Sequence, residues 1–338
     1  MGGQKRCTES VLQLMGNLPT RDRAVYYGAA AVDVGEVLTS TSGGVASALS
    51  RTVLRSGGVV FGASFNPFPQ VCHVCVSTEE ELQRLKGSKY VESDIRGCLS
   101  KIKEYLLVGR SVLFVGLPCQ VAAVYSYVGG DKDNLYTVDL ICHGKPPQRL
   151  FNRWIKSLEH SVGAPIVDYK FRNKNGCAWN SEQTHQHYYC LSDGSWHPIP
   201  VKKNWYGRYF LGSSSFMDGC YKCPFARIPR IGDVTLGDFW GGEEDPRLED
   251  FATHGLSLVS VQSVKGMLLI KMSMDLVRYI EVKEEFAVGA NRQLTHPSKR
   301  PIYRNFLFRF VYAPEPIRWV CDWLLFYSGK MLKRFLCK

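Results

Sequence analysis

The stretch "SVLFVGLPCQVAAVYSYV", residues 111–128, decides the fold, because a short apolar strand, a loop and a helix follow one another in it. β-Branched and aromatic residues favour a strand over residues 111–116, and the apolar spacing of "VAAVYSYV" favours a helix. The same order recurs in residues 135–160, where "LYTVDLI" precedes "CHGKPPQ" and the helical "RLFNRWIKSLEH". Two successive strand–loop–helix units predict parallel strands in an α/β fold.

The segments on either side extend this pattern. Upstream, "GGVASALSRTVLRSGG" predicts a helix, "VVFGASF" a buried strand, and "STEEELQRLKG" a helix capped by Ser77 or Thr78. "SKIKEYLLVG" predicts a further short helix. After about residue 165, short strand-like runs alternate with turns and aromatics, as in "VTLGDFWGG". We therefore expect a parallel or mixed sheet with flanking helices, followed by an α+β C-terminal portion.

This texture divides the chain into four parts: an N-terminal extension (1–24), an α/β portion (25–165), an α+β portion (166–295) and a basic aromatic tail (296–338). In the tail, Val320, Trp323 and Tyr327 fall at helical spacing among basic residues. This pattern is typical of an interfacial membrane helix and equally of a C-terminal helix docked on its own domain or on a partner.

Composition narrows the class of protein. The 338 residues are 45% hydrophobic, and 42 Lys and Arg outnumber 31 Asp and Glu, giving a net charge of +11. The hydrophobic content excludes a disordered chain, and no apolar run reaches the roughly 18 residues of a membrane span. The positive charge suits an acidic cofactor, an acidic protein partner or an anionic membrane surface, whereas no motif supports nucleic-acid binding.

The cysteines indicate a reducing compartment. Twelve cysteines occur in a large chain whose start, "MGGQKRCTES", lacks the apolar core of a signal peptide. We therefore expect a cytoplasmic protein, with membrane association only through the tail. In that setting, clustered cysteines point to metal or redox chemistry.

Four cysteines stand out by their positions. Cys119 and Cys142 follow the two predicted parallel strands, at the strand ends where open sheets bind ligands. Cys220 and Cys223 form a CxxC motif followed by proline. Alone, such a pair fits a zinc site, a redox dithiol or half of an iron–sulfur site. With the two strand-end cysteines it fits a four-thiolate metal centre, either a cubane cluster or a zinc ion.

A second CxxC motif, Cys72 and Cys75 in "VCHVCV", has a different interpretation. The segment predicts a strand, and residues three apart on a strand point to opposite faces. We therefore interpret these two cysteines as packing residues.

Seven motifs in order resemble the coenzyme F420 hydrogenase/dehydrogenase beta-subunit family. They are "TSTSGGVASAL", "GGVVFGASF", "LKGSKYVESDI", "VLFVGLPCQVAAV", "NLYTVDLICHGKPP", "CYKCPFA" and "GDVTLGDFWG". The resemblance runs from about residue 25 to 290. It implies an iron–sulfur flavoprotein oxidoreductase that passes electrons between a cluster and a flavin, and on to coenzyme F420 or another hydride carrier.

The resemblance also implies a cofactor arrangement. Cys119, Cys142, Cys220 and Cys223 would hold one [4Fe–4S] cluster, and FAD would occupy a pocket bordered by the "STSGG" loop and the "KGSKY" segment. Both segments contain residue types suited to that role, and the candidate flavin-binding residues are Ser40, Ser42, Gly43, Gly44, Lys86, Ser88 and Lys89.

The residues themselves leave simpler interpretations open. Amides and hydroxyls of the "STSGG" loop, just before a helix, suit a pyrophosphate, but also a plain helix cap. The two lysines suit a phosphate or a reduced flavin ring, but also a solvated surface. His143 and Asp238 adjoin the expected cofactor loops, where each suits either chemistry or backbone orientation, Asp238 through an Asx turn.

Partners and alternatives follow from one departure from the family pattern. Many members carry an N-terminal ferredoxin module rich in CxxC motifs, whereas Cys7 is the only cysteine before residue 25. We therefore expect electrons from a separate ferredoxin-like protein or partner subunit, and a small-molecule substrate or hydride carrier. The alternatives are an accessory, non-redox role in surface-polysaccharide biosynthesis and a zinc-stapled binding module.

Overall fold

The two strand–loop–helix units lie at the centre of an eight-stranded sheet in the computed structural model, which describes residues 24–174, 185–249, 253–289 and 291–305. The strands, in chain order, are β1 (Val25–Ala31), β2 (Val59–Phe65), β3 (Val71–Val76), β4 (Val112–Gly116), β5 (Leu135–Leu140), β6 (Ile166–Lys170), β7 (Tyr188–Leu191), β8 (Trp196–Pro198), β9 (Val234–Asp238), β10 (Ser257–Val261) and β11 (Val277–Val282). The helices are α1 (Val34–Thr39), α2 (Val45–Arg55), α3 (Arg96–Leu107), α4 (Pro118–Val128), α5 (Gln148–Val162), α6 (Trp205–Leu211), α7 (Val264–Met272) and α8 (Glu284–Gly289).

The large sheet is mixed, in the order β11-β1-β10-β9-β5-β4-β2-β3. Its four middle strands, β9, β5, β4 and β2, run parallel, and the outer strands on both sides pair antiparallel. Strands from both sides of residue 165 therefore join in one sheet. The predicted α/β class with a mixed sheet and flanking helices is confirmed.

Alternating side chains of the central strands enter two different cores. Val60 and Leu113 pack with α2 and α7 on one face, while Phe61 and Phe114 pack with α3 and α4 on the other. Because successive strand residues point to opposite faces, a strand covered on both sides must be apolar throughout. This explains the unbroken apolar runs in the sequence.

The α+β portion adds a small antiparallel sheet, β6-β7-β8. It packs with α5 and α6 around an aromatic core. Phe151 lies at its centre, with ring contacts to Phe65, Tyr169, Phe171 and Tyr206. Phe171, the residue after β6, belongs to this core. The core therefore positions the segment 171–174, in which Arg172 contacts Asp238 of β9 in the large sheet.

One predicted helix is shorter than expected. The "STEEELQRLKG" segment forms a single 3-10 helix, Glu81–Leu85. Its N-cap is Glu80, without a side-chain cap, so the predicted cap at Ser77 or Thr78 is wrong. The two residues instead form the turn before the helix, where Thr78 Oγ1 accepts from the Glu81 amide and the Glu81 carboxylate accepts from the Ser77 amide. "VCHVCV" is a strand, as expected, and Cys72 and Cys75 are half-buried there.

The chain ends lie outside this description. The extension up to residue 23 and the tail from residue 306 are among the residues that the structure does not describe, so the expectations for them stay predictions. In the described ranges, no helix is both long enough and apolar enough to cross a membrane.

A buried ion pair attaches the CxxC segment to the large sheet. Arg230 and Asp139 are 2% and 0% exposed, and Arg230 Nη2 donates to Asp139 Oδ1 at 3.3 Å. Arg230 also donates to the carbonyls of Leu140 and Phe225, and the Gly232 amide donates to Asp139 Oδ2. The ion pair thus connects the end of β5 with residues on both sides of Arg230, with Phe225 through the guanidinium and with Gly232 through the Asp139 carboxylate.

We expect Arg230→Met to lower the free energy of unfolding by about 3 to 5 kcal/mol, because it leaves the Asp139 carboxylate buried without its cation. The double variant Arg230→Met/Asp139→Asn removes both charges and keeps an acceptor for the Gly232 amide, so it should lose less. Urea unfolding followed by circular dichroism measures both. Equal losses in the single and double variants would contradict a role for the buried charge.

Candidate functional site

The four predicted cysteines come from three segments at one edge of the large sheet. Cys119 is the second residue of α4, directly after β4, and Cys142 lies two residues after β5. Cys220 belongs to a short 3-10 helix, Asp218–Lys222, and Cys223 directly follows it. All four side chains are half-buried with free thiols.

The four thiols lie within electrostatic range of one another. Burial raises the pKa of the Cys142 thiol, and Cys119, Cys220 and Cys223 raise it further. Burial likewise raises the pKa of Cys119 to about 11, with contributions from Cys223 and Cys220. The three segments thus place the four cysteines at the same edge of the sheet, and their assignment as ligands of one metal centre stays a prediction. In the described ranges, no three His, Cys, Asp or Glu side chains lie close enough together to hold one metal ion.

Donors and a cation surround the thiols. The Gly144 amide lowers the pKa of Cys142 and the Lys145 backbone lowers that of Cys220, each through a hydrogen bond that opposes the larger effect of burial. The Lys145 ammonium is paired with Glu92 at 2.9 Å and also favours the thiolates of Cys119 and Cys220. These groups suit a set of negatively charged sulfurs.

Gly144 is required where it stands. Its φ of +143° is unfavourable for other residues, and a Cβ there would overlap the Phe216 ring. The glycine of "ICHG" thus allows the chain to pass Phe216 with its amide turned towards Cys142.

A cavity of about 610 Å³ adjoins the cysteines, and Cys142 forms part of its wall. The "STSGG" loop and the "KGSKY" segment supply another part, as the sequence predicted, and the ends of β4, β5 and β9 supply a third. This volume is within the range of small-molecule and cofactor sites. The two sites inferred from the sequence are therefore contiguous.

The "STSGG" loop uses several of its groups internally. Ser40, Ser42 and Gly44 line the cavity, but the Ser40 hydroxyl donates to Glu36 Oε1 and the Ser42 hydroxyl to the Leu256 carbonyl. Gly43 does not line the cavity, because its amide donates to Ser257 Oγ at 2.9 Å. The loop is thus anchored to β10, and Gly44, with φ +80°, turns it into α2.

The two lysines of the "KGSKY" segment are not solvated surface residues. Lys86 Nζ is 2.9 Å from Glu36 Oε1, and its side chain is only 12% exposed. Lys89 Nζ donates to the carbonyls of Leu85 and Lys86, and burial lowers its pKa to about 8. Ser88 donates from its amide to Thr41 Oγ1, which joins the segment to the loop opposite.

Glu36 is the centre of this wall. Its side chain is 4% exposed and pairs with both Lys86 and Arg51. Burial by itself would raise the pKa of Glu36, but the hydrogen bond and charge of Lys86 outweigh it, so the pKa is lowered. The sequence did not single out Glu36, because a carboxylate in a short helix before a glycine loop has no distinctive signature.

His143 and Asp238 both have structural partners. The two ring nitrogens of His143 lie 3.0 Å from Ser213 Oγ and 3.1 Å from Gln293 Nε2. Asp238, the last residue of β9, accepts from Arg172 Nη1 at 2.6 Å. His143, Asp238 and Arg172 all line the cavity.

Sequence reasoning missed an aromatic and basic part of the wall. Tyr90 stacks on Phe210 with ring centroids 4.2 Å apart, and Arg172 lies over the Trp240 ring at 5.9 Å. Trp240 also stacks on His185. "GDFWGG" and "DYKFRNKNG" contain Trp240 and Arg172, but no local spacing connects the two segments.

Four cations line the cavity: Lys86, Lys89, Lys145 and Arg172. Three of them are paired with carboxylates, Lys86 with Glu36, Lys145 with Glu92 and Arg172 with Asp238. An anionic ligand is therefore favoured at donor groups that these pairs leave unused, rather than by a large excess of charge.

A family model for the C terminus of the coenzyme F420 hydrogenase/dehydrogenase beta subunit matches residues 109–285, slightly more than half of the chain. The chain belongs to this family. The match confirms the resemblance seen in the motifs, and it includes all four cysteines of the site as well as Arg172 and Asp238. The family takes its name from redox enzymes, which places this chain among their relatives.

Comparison of folds gives the same relationship at greater distance. The chain is similar to one in the structure titled as a xenon derivative of the F420-reducing [NiFe] hydrogenase complex from Methanosarcina barkeri. The identity is 16%, the TM-score is 0.54, and the alignment covers 80% of this chain and 86% of the other. At that identity the likeness shows a shared fold. None of the curated proteins compared with this sequence matches it.

We expect Glu36→Gln to lower the free energy of unfolding by about 2 kcal/mol at pH 7, because Lys86 and Arg51 lose a charged acceptor. The native pKa lies below the usual 4.5, so this stabilisation is complete above about pH 4.5 and decreases as the pH falls through the native pKa. The difference between wild type and variant in urea unfolding should therefore shrink towards pH 3.

Glu79→Gln is the matched control, because Glu79 also pairs with Arg51 but is 36% exposed. It should change stability by less than about 1 kcal/mol at either pH. A Glu36→Gln difference that stays constant from pH 7 to pH 3 would contradict the buried ion pairs.

Proposed function

We propose that this protein is an iron–sulfur flavoprotein oxidoreductase that relays electrons between a [4Fe–4S] cluster and FAD. The observation that carries the proposal is the convergence of Cys119, Cys142, Cys220 and Cys223 beside a cavity that Cys142 itself lines. Membership of the family supports the redox assignment.

The donor set fits the cluster. Four thiols at one edge of the sheet, with backbone hydrogen bonds to two of them and an ammonium nearby, match the needs of an anionic cluster in which each iron takes one sulfur. A zinc ion takes the same type of ligand but needs the thiols closer together than they lie in the described ranges, so the metal itself has to be measured.

The cavity fits the flavin. Its volume, its lining of basic side chains and the stacked pair of Tyr90 and Phe210 suit a planar ring system that carries phosphates. Lys86, Lys89 and Ser88 would border it on one side, and Ser40, Ser42 and Gly44 on another. Gly43 would not contact the flavin, but its amide would hold the loop in place on β10 through Ser257.

When both groups are bound, the cluster exchanges single electrons and the flavin converts them to hydride chemistry. The protein's own part is to hold the two sites side by side and to exclude water. Lys145 joins the sites, because it lines the cavity and also favours the thiolates. The hydride carrier would be coenzyme F420 or a similar anionic molecule, and the electron donor a ferredoxin-like protein or a partner subunit.

The test is anaerobic purification followed by a visible spectrum and by iron, sulfide, zinc and flavin analysis. We expect broad absorbance near about 400 nm with flavin bands, and about four irons per chain. A colourless protein with one zinc would establish the zinc-stapled module instead, and a protein with neither metal nor flavin would favour the accessory role.

We expect Cys119→Ser and Cys142→Ser each to lose most of the iron, because an alcohol is a poor ligand for these irons. Cys72→Ser is the matched control, since Cys72 is also half-buried but lies on β3, and it should keep the full iron content. Unchanged iron in both Cys119→Ser and Cys142→Ser would refute the ligand assignment.

A further inference from the structure

Arg172 is buried with half of its guanidinium unused. Its side chain is 4% exposed, and Nη1 donates to Asp238 Oδ2 at 2.6 Å. Nε and Nη2 are shielded from solvent and have no hydrogen-bond partner among the described residues. These two nitrogens form one edge of the guanidinium, whose parallel N–H groups match the two oxygens of a carboxylate or phosphate.

Leaving that edge unsatisfied is unfavourable for the folded protein. A buried N–H that has lost water without gaining an acceptor costs more than an average hydrogen bond stabilises. The cost is greater for a charged group. The two N–H groups without acceptors lie on a residue that lines the cavity. The simplest explanation is that a bound ligand supplies the acceptor.

The surroundings favour an anion at this edge. Burial would lower the pKa of Arg172, but Asp238 outweighs it, so the residue is a firm cation. Lys174 lies close by and donates to the carbonyls of Val37 and Ser42. Burial and the charge of Arg172 lower the pKa of Lys174 to about 8. Asp238 accepts a hydrogen bond from Nη1 alone. A second negatively charged group can therefore bind at Nε and Nη2.

The position is that of a ligand-recognition residue. Arg172 lines the cavity together with Tyr90 and Trp240. The Tyr90 side chain lies beside the guanidinium, and Arg172 opposes the effect of burial, which raises the pKa of the Tyr90 hydroxyl. Aromatic rings beside a fork of N–H donors suit a planar group that carries a carboxylate or phosphate.

We propose that Arg172 binds an oxyanion of the ligand in this cavity, side-on through Nε and Nη2, while Asp238 holds the opposite side of the guanidinium. The oxyanion belongs either to a phosphate of the bound flavin nucleotide or to a carboxylate or phosphate of the second substrate. The inference extends the proposed function to one residue of the cavity. It rests on the proposed function only if the oxyanion is a phosphate of the flavin.

The experiment compares full-length wild type, Arg172→Gln, Arg172→Lys and the control Lys170→Gln. Lys170 is an exposed cation on β6, two residues away, that lies over Trp196. Flavin is removed, and riboflavin, FMN and FAD are titrated by fluorescence quenching. Pyrophosphate and glutarate are then titrated by calorimetry into the protein with and without FAD.

If Arg172 binds a flavin phosphate, Arg172→Gln should weaken the binding of FMN and FAD by about 10- to 100-fold and leave the binding of riboflavin unchanged. If Arg172 binds an oxyanion of the substrate instead, Arg172→Gln should leave the binding of all three flavins unchanged and weaken the binding of pyrophosphate or glutarate by a similar factor. In either case Arg172→Lys should be intermediate, because an ammonium keeps the charge without the fork. Lys170→Gln should match wild type.

Equal binding of every probe by wild type and Arg172→Gln overturns the proposal, as does wild type that binds none of the anions and no flavin phosphate. If Arg172→Gln misfolds because Asp238 loses its cation, the double variant Arg172→Gln/Asp238→Asn is used in its place, and Arg172→Lys still tests the proposal. A wild type that binds anions through Arg172 but no flavin would refute the proposed function and leave this inference standing.

Discussion

The buried ion pair between Arg230 and Asp139 is the contact on which the arrangement of the site depends. The CxxC segment follows β5 by about eighty residues in sequence and has little regular structure of its own. Arg230 attaches it to Leu140 at the end of β5, two residues before Cys142. Without a partner at that depth the charge would destabilise the fold, so the pair specifies which segment lies against the strand end.

The second constraint is the covering of the sheet on both faces. Because helices pack on each side, the strand ends are the part of the sheet open to ligands, and the parallel strands β4 and β5 direct their following loops to the same edge. Cys119 begins a helix and Cys142 precedes a glycine whose amide faces it. The same topology therefore supplies the thiols, the amide donors and one wall of the cavity.

The sequence was most informative where structure is local. The β-branched runs, the helix around Val45–Arg55 and the cysteines at strand ends all follow from short-range patterns. β1 was missed because "VYYGAAA" is rich in alanine and glycine, which are poor strand formers, and its antiparallel pairing with β10 and β11 joins segments more than two hundred residues apart. The position of Arg172 beside Trp240 and Asp238 depends on such distant pairings as well. Ser42 and Gly43 show that a local pattern can also mislead. Their loop has the composition of a phosphate-binding site, but Ser42 and Gly43 form hydrogen bonds to Leu256 and Ser257 of the protein's own sheet region.

The cavity is lined by residues from the "STSGG" loop to Gln293, about 250 positions along the chain. A ligand that binds there contacts both halves of the molecule at once and binds only when they are assembled. By mass action it then adds to the stability of the whole fold as its concentration rises above its dissociation constant. The supply of such a ligand would in this way set how long the folded protein survives, apart from any effect on its chemistry.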